Sequence, residues 1–134
     1  MIQPDKAIGT VTIDDLEITT FFSIIDIENL KKQHYVILAV NNEDYISYRI
    51  PFFDNGETAV LFTFHKGKIL YVSIGLGAKN DFPEYEITEK KKAIIKDRLK
   101  SIGGEHVYRW GSVQYSEDPK GGNVGIFVRY NNNN

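Results

Sequence analysis

Alternation of apolar and polar positions is the main pattern along the chain, and it predicts strands. Between residues 16 and 24 every second side chain belongs to one mostly apolar face, which predicts a long strand. Residues 24–30 could instead open a short helix, so two structures are open for the end of this stretch.

Two more strands are predicted in the first half. Residues 35–40 are apolar on both faces, which is typical of a central strand. A polar turn at residues 41–44 leads into a strand over residues 45–50, with Tyr48 among its inward-facing side chains. Pro51 should end this strand, because proline lacks the amide donor that a central strand needs.

Two hairpins are predicted on either side of a loop and a helix. Their strands cover residues 57–65 with 68–74, and residues 107–115 with 124–130. Gly67 can adopt the positive φ that the tight turn of the first hairpin requires. In the second hairpin the alternation is blurred at Trp110 and Gly111, which predicts a bulge or bend there.

One helix is predicted at about residues 87–102. Thr88 fits the N-cap position, and Gly103 with Gly104 provides the end. Its apolar residues recur at helical spacing and form one stripe, namely Ile94, Ile95, Leu99 and Ile102.

This order of elements indicates the α+β class. We expect a curved, largely antiparallel sheet with one main helix packed on one face. A strongly curved half-barrel around the same helix is the alternative. The 134 residues fit a single domain over residues 1–130, followed by a disordered tail of four asparagines at residues 131–134.

Composition excludes several classes of protein. The chain has no cysteine, which rules out thiol catalysis, disulfides and cysteine-bound zinc. The first residues lack the basic and apolar regions of a secretory signal. The longest apolar run, residues 35–40, is far shorter than a membrane span. We therefore expect a cytoplasmic protein with no membrane partner.

The sequence contains no recognisable arrangement of catalytic or metal-binding residues. His34, His65 and His106 are far apart and show none of the spacings of zinc ligands. Acid pairs such as Glu84 with Glu86 are most simply surface charge. We expect no enzymatic activity, no metal and no cofactor.

Charge is distributed unevenly along the chain. Residues 1–60 carry a net charge of −6 and residues 61–134 a net charge of +4, which leaves −2 overall. This balance argues against a nucleic-acid partner. The basic residues of the predicted helix are interpreted as a solvated outer face, and they are Lys90, Lys91, Lys92, Lys96, Arg98 and Lys100.

The C-terminal hairpin carries a resemblance to a known class of proteins. The segments that carry it are Trp110-Gly111-Ser112-Val113, Asp118-Pro119-Lys120-Gly121-Gly122 and Ile126-Phe127-Val128-Arg129-Tyr130. They resemble the ends of small bacterial proteins encoded beside toxins. The order of strands, helix and hairpin also resembles immunity proteins of contact-dependent growth inhibition or bacteriocin-type systems. The resemblance implies a non-catalytic inhibitor that binds a cognate toxin domain, and it assigns no binding residue.

The acidic first half suits such a role, because many toxin domains act on nucleic acid and are basic. An acidic face would attract a basic partner, and tyrosines next to it would add contact area. The candidate partner-binding residues are therefore Asp14, Asp15, Glu17, Glu43, Asp44, Tyr45, Tyr48 and Asp54. The alternative function is a small-ligand-binding domain with an aromatic-lined pocket, which an apolar cavity of several hundred Å³ would favour.

Overall fold

The computed structural model describes residues 2–5, 9–13, 16–77, 79–83 and 85–131, with the backbone alone for residues 2–5, 13 and 54. These residues form the following elements in chain order: β1 (Ile2–Asp5), β2 (Thr10–Ile13), β3 (Leu16–Ile18), α1 (Ile24–Leu30), β4 (Ile37–Asn41), β5 (Tyr45–Phe53), β6 (Thr58–His65), β7 (Lys68–Leu76), α2 (Glu89–Ser101), β8 (His106–Val107), β9 (Gly111–Asp118) and β10 (Asn123–Tyr130).

Two antiparallel sheets organise these elements. Seven strands form the large sheet in the order β4-β5-β6-β7-β10-β9-β8, and β1, β2 and β3 form a small sheet. The small sheet and both helices contribute to one hydrophobic core with the large sheet. The predicted α+β class, with a largely antiparallel sheet and one main helix on one face, is confirmed.

One side of the large sheet, named here the covered face, holds that core. Phe62 of β6 is fully buried there, and its ring stacks on Phe22 with 5.1 Å between centroids. Because strand side chains alternate between faces, every second residue of the inner strands points to the same side. The fully buried members of this set are Ile50, Val60, Phe62, Phe64, Val72, Ile74, Ile126 and Val128.

The predicted long strand over residues 16–24 is wrong, and the short-helix alternative is correct. β3 ends at Ile18, and α1 begins after Ser23, which is its N-cap. The backbone amide of Ser23 donates to Asp26 Oδ2 over 2.8 Å. This local pairing of an N-cap serine with an acid three residues later starts a helix and overrides the alternation.

The predicted central strand over residues 35–40 is also wrong. β4 lies at one edge of the large sheet, with β5 as its neighbour. The prediction that Pro51 ends the next strand is wrong too, because β5 continues to Phe53. Pairing between β5 and β6 is irregular between Ile50 and Phe53, so the missing amide of Pro51 falls where the ladder is already interrupted.

Both predicted hairpins are confirmed. The turn between β6 and β7 has positive φ at Lys66 (51°) and Gly67 (81°). The bend expected near Trp110 is a tight turn that separates β8 from β9, in which the Tyr108 amide donates to the Gly111 carbonyl over 2.7 Å.

α2 confirms the predicted helix, and its polar face differs from the prediction. The Lys91 amide donates to Thr88 Oγ1 over 3.2 Å, which establishes Thr88 as the N-cap. The interpretation of the helical cations as a solvated face is wrong for Lys91 and Arg98, and Lys92 is half-buried as well. Lys91 is 2% exposed, and Arg98 is half-buried and donates through Nη2 to the Glu57 carbonyl over 3.2 Å.

The small sheet is fixed to the end of β10 by a buried tyrosine. Tyr130 Oη donates to the Gly9 carbonyl over 3.0 Å, and burial raises the pKa of its phenol. Asn131, the first residue of the predicted tail, is bound to the fold, since its amide donates to the Trp110 carbonyl over 2.9 Å. The remainder of that tail lies outside the described residues.

Candidate functional site

The second side of the large sheet, named here the open face, differs from the covered face. One row of residues lies in register across five strands of this side, and its members are Arg49, Leu61, Ser73, Phe127 and Gln114. All five are exposed or half-buried. The open face therefore leaves side chains of inner strands accessible to a binding partner.

A groove of about 670 Å³ runs over the open face. Its floor is made of small residues on four inner strands, namely Ala59, Ser73, Gly75, Ser116 and Gly125. At Gly125 a side chain has no room, because a Cβ atom would lie 2.7 Å from the Ile74 carbonyl oxygen. The small side chains let an incoming group approach the sheet closely.

Exposed aromatic side chains rise at the rim of this groove. Tyr35 before β4 is 64% exposed, Phe52 on β5 is 53% exposed, and Tyr85 in the loop before α2 is 81% exposed. Large exposed aromatics are enriched where proteins bind one another, since they offer much contact area at low entropic cost. The groove therefore combines an accessible floor with an aromatic rim.

The loop that carries Tyr85 is held by the buried amine of Lys91. Its Nζ donates to Asp81 Oδ1 over 2.7 Å, to the Glu86 carbonyl over 2.8 Å and to the Pro83 carbonyl. Three acceptors compensate the desolvation of a buried charge, which would otherwise be costly. Sequence reasoning missed this role, because Lys91 lies within a run of three lysines that looks like solvated charge.

Tyr85 is also fixed through its backbone. Its φ of 61° is in the left-handed region, which tyrosine rarely adopts. The Tyr85 backbone lies against Gly122 in the β9–β10 turn, where a Cβ atom would come within 2.0 Å of the Tyr85 carbonyl carbon. Such strained residues are maintained by surrounding contacts and cluster at binding sites.

The predicted partner-binding residues have varied locations. Asp14 and Asp15 lie outside the described residues, and only the backbone of Asp54 is described. Glu17 is exposed on β3. Glu43 and Asp44 are exposed in the turn between β4 and β5.

The two tyrosines of that set have different environments. Tyr45 is exposed, and its ring contacts the His65 ring with 4.7 Å between centroids. Tyr48 is 8% exposed and packs edge-on against Phe64 in the core. Its expected inward orientation is confirmed, and an orientation into the core leaves its ring almost no area for a partner.

Asp44 and Asp54, two of these candidates, lie at opposite ends of the same strand. Asp54 follows β5 and Asp44 precedes it, so that the nine residues of β5, about 30 Å of strand at roughly 3.3 Å per residue, lie between them. The Lys66 amide donates to the Asp44 carbonyl over 2.9 Å, which places the basic β6–β7 turn beside the acidic one. Lys66 and Lys68 are exposed at this end of the sheet.

Histidines and acids do not converge into a metal site in the part of the chain that the structure describes. His34 packs against Phe53, His65 against Tyr45 and His106 against Tyr108, each through ring contacts of 4.4 to 4.7 Å. Within the same residues, neither helix is long and apolar enough to cross a bilayer.

Comparison with known proteins relates this fold to a solved complex. No protein-family model and no curated protein matches the sequence. A chain of the solved structure "Rhs1-CT in complex with cognate immunity protein RhsI1" is similar over 98% of this chain and 88% of that chain, with a TM-score of 0.66 and 12% sequence identity. The chain therefore shares its fold with a component of a complex that contains an immunity protein.

Proposed function

We propose that this chain is an immunity protein, which neutralises a cognate toxin domain by binding it without catalysing a reaction. The observation that carries the proposal is the fold similarity, since it extends over 98% of the chain to a component of an immunity-protein complex. The sequence resemblance of the C-terminal hairpin supports the same class on separate grounds. In keeping with the sequence, we place its action in the cytoplasm.

The open face supplies a surface suited to this function. A toxin segment that enters the groove would contact the floor near Ser73 and the rim at Tyr35, Phe52 and Tyr85. The backbone of the Tyr85 loop is already fixed by Lys91, so less conformational entropy is lost on binding. We therefore propose the groove as the main toxin contact.

Co-expression tests this function directly. The probe is the C-terminal domain encoded immediately upstream of the gene for this chain, induced in a laboratory bacterial strain. We expect the domain alone to arrest growth, co-expression with this chain to restore growth, and a tagged copy of the chain to purify together with the domain. The chain expressed alone should leave growth unchanged.

Two results of that experiment would refute the proposal. Growth arrest by this chain alone would make it the toxic partner of its pair. Continued arrest despite soluble, folded chain in the same cells would show that it does not neutralise the domain. As a control for folding, the Thr63→Ser variant should behave like the wild type, because its hydroxyl can keep the 2.8 Å bond to Ser47.

The acidic residues offer a second, separable contact for the same partner. If an acidic surface attracts a basic toxin, reversing Asp14, Asp15, Glu43 and Asp44 to lysine should weaken binding and reduce its salt dependence. Arg49, which lines the groove, lies about 17 Å along β5 from Asp44, so the reversals at Glu43 and Asp44 act outside the groove. Unchanged affinity at low salt would remove the acidic residues from the interface.

The groove volume also favours a second candidate function, binding of a small ligand. About 670 Å³ is within the range of roughly 300–1,000 Å³ that ligand pockets occupy. The dye 1-anilinonaphthalene-8-sulfonate is a suitable probe, because it combines aromatic rings with an anion that can approach Arg49. Saturable fluorescence that Ser73→Trp abolishes would support this function, and no fluorescence increase would count against it.

A further inference from the structure

The longest apolar run of the chain reaches an edge of the large sheet and is accessible there. Leu38 is 52% exposed and Val40 is 44% exposed, and both belong to the edge strand β4. Edge strands are normally protected by charges, proline or a covering element, since their free backbone groups can pair with another strand. β4 contains neither a charged residue nor proline, so its remaining protection is the irregularity in its pairing with β5 between Leu38 and Val40.

We propose that a second copy of this chain covers β4, with the two β4 strands paired antiparallel about a two-fold axis. Such pairing is isologous, because each copy uses the same residues. The unpaired backbone groups of both edges would bond to one another, and the two large sheets would become one continuous sheet. Leu38 and Val40 of both copies would lose contact with water.

Charges on either side of β4 favour this occupant. Lys32 precedes the strand, Glu43 and Asp44 follow it, and all three are exposed, while Lys31 is already paired with Glu28 over 2.9 Å. An antiparallel two-fold pairing brings the basic flank of each copy beside the acidic flank of the other. A parallel pairing would instead bring like charges together, so the charges select the direction while the apolar contacts and backbone bonds stabilise the pair.

The register of the edge is specified by the side-chain faces. Ile37 pairs with Arg49 and Val40 with Ser47 on β5, which places both on the open face. Among the registers that keep open-face residues together, we choose the one that pairs Ile37 of one copy with Val40 of the second copy. Ala39 at the bulge between Leu38 and Val40 then lies at the centre, where its small side chain allows the close approach.

A second copy fits this edge better than the toxin does. The charge pattern is complementary to itself, so it needs no feature of another protein. The floor of the proposed toxin site lies on β6, β7, β9 and β10, and pairing at β4 leaves that floor accessible, while Ile37 belongs to both surfaces. The inference is therefore independent of the proposed function, and its test uses the purified chain alone.

Sedimentation equilibrium over a range of concentrations tests this dimer. A strand pair of five residues buries less area than the roughly 1,600 Å² of a standard interface, so we expect a reversible association. The mass should rise from 15.3 kDa toward twice that value with concentration. Val40→Lys should keep the chain monomeric, whereas Val107→Lys, on the opposite edge strand and 75% exposed, should leave the association unchanged.

A charge exchange provides the sharper part of the test. Lys32→Glu and Glu43→Lys should each weaken the dimer severalfold, and the double variant should restore it, because opposite charges again face each other. A chain that stays monomeric up to about 1 mM would overturn the proposal. So would a dimer that Val40→Lys leaves intact. Loss of toxin binding in Val40→Lys, with the wild type monomeric, would assign the edge to the toxin instead.

Discussion

Phe62 and Leu61 are consecutive residues of β6, yet they lie in different environments. Phe62 is fully buried on the covered face and stacks on Phe22, while Leu61 is half-buried on the open face and lines the groove. The covered face is packed by the helices and the small sheet. This difference shows that the covered face stabilises the fold, while the open face is available for recognition.

Small residues make the open face accessible without weakening the covered face. Ser73 and Gly75 point to the groove, while Val72 and Ile74 on the same strand point into the core. Alternation along a strand allows the two functions to be separated one residue at a time. Two substitutions at neighbouring positions of one strand, one on each face, can therefore test whether the two faces have different roles.

The largest expected effect comes from truncating the covered face. Phe62→Ala should lower the free energy of unfolding by about 4 kcal/mol, because it removes a fully buried ring and leaves a cavity. Leu61→Ala should cost less than about 1 kcal/mol, since its side chain is already partly in water. Urea unfolding of both variants measures the difference. Equal losses would contradict the distinction between the faces.

Removal of the Lys91 amine should have the next largest effect. Lys91→Met leaves the Asp81 carboxylate and the Glu86 carbonyl without their donor, so we expect a loss of about 2 kcal/mol. Amide exchange in residues 79–82 and 85–88 should accelerate more than exchange in β6. Lys90→Met, at an exposed position, is the matched control. Unchanged exchange in this loop would show that Lys91 does not hold it.

Tyr130→Phe should have a smaller, pH-dependent effect. The loss of the bond to the Gly9 carbonyl should cost about 1 kcal/mol at pH 8. Burial raises the pKa of Tyr130 above the value near 10 of an unfolded tyrosine. The folded state thus keeps its proton while the unfolded state loses it, so this contribution is complete below about pH 10 and declines as pH rises toward the folded-state pKa.

Urea unfolding from pH 8 to 11 checks the direction of this pH dependence. The stability difference between the wild type and Tyr130→Phe should narrow as the pH rises. Burial, together with a hydrogen bond to Glu117, raises the pKa of Tyr115 to about 12, and this titration is present in both proteins and cancels. A stability difference between the two proteins that stays constant or widens from pH 8 to 11 would exclude the titration of Tyr130 as the source of this pH dependence.

Elements defined by nearby residues could be predicted from the sequence. The capping of α2 by Thr88 depends on an amide three residues away, and the β6–β7 turn depends on Gly67. The start of α1 was equally local, because Ser23 and Asp26 form its cap. Apolar alternation concealed this signal and produced the wrong strand.

Features that depend on distant pairing could not be predicted. Residues 35–40 are apolar enough for a central strand, and their edge position follows only from the order of all seven strands. The groove floor brings together Ala59, Ser73 and Gly125, which no local pattern connects. Lys91 has a buried role because three acceptors of a preceding loop surround it.

Titration of the upstream-encoded toxin domain into two matched variants tests the central claim most directly. Ser73→Trp fills the groove, whereas Gln114→Trp adds the same ring to the same face outside the groove. Both should unfold close to the wild-type midpoint. The account predicts that isothermal titration calorimetry finds at least a tenfold weaker affinity for Ser73→Trp and unchanged affinity for Gln114→Trp. Wild-type affinity in both variants would contradict the proposal that the toxin binds in the groove.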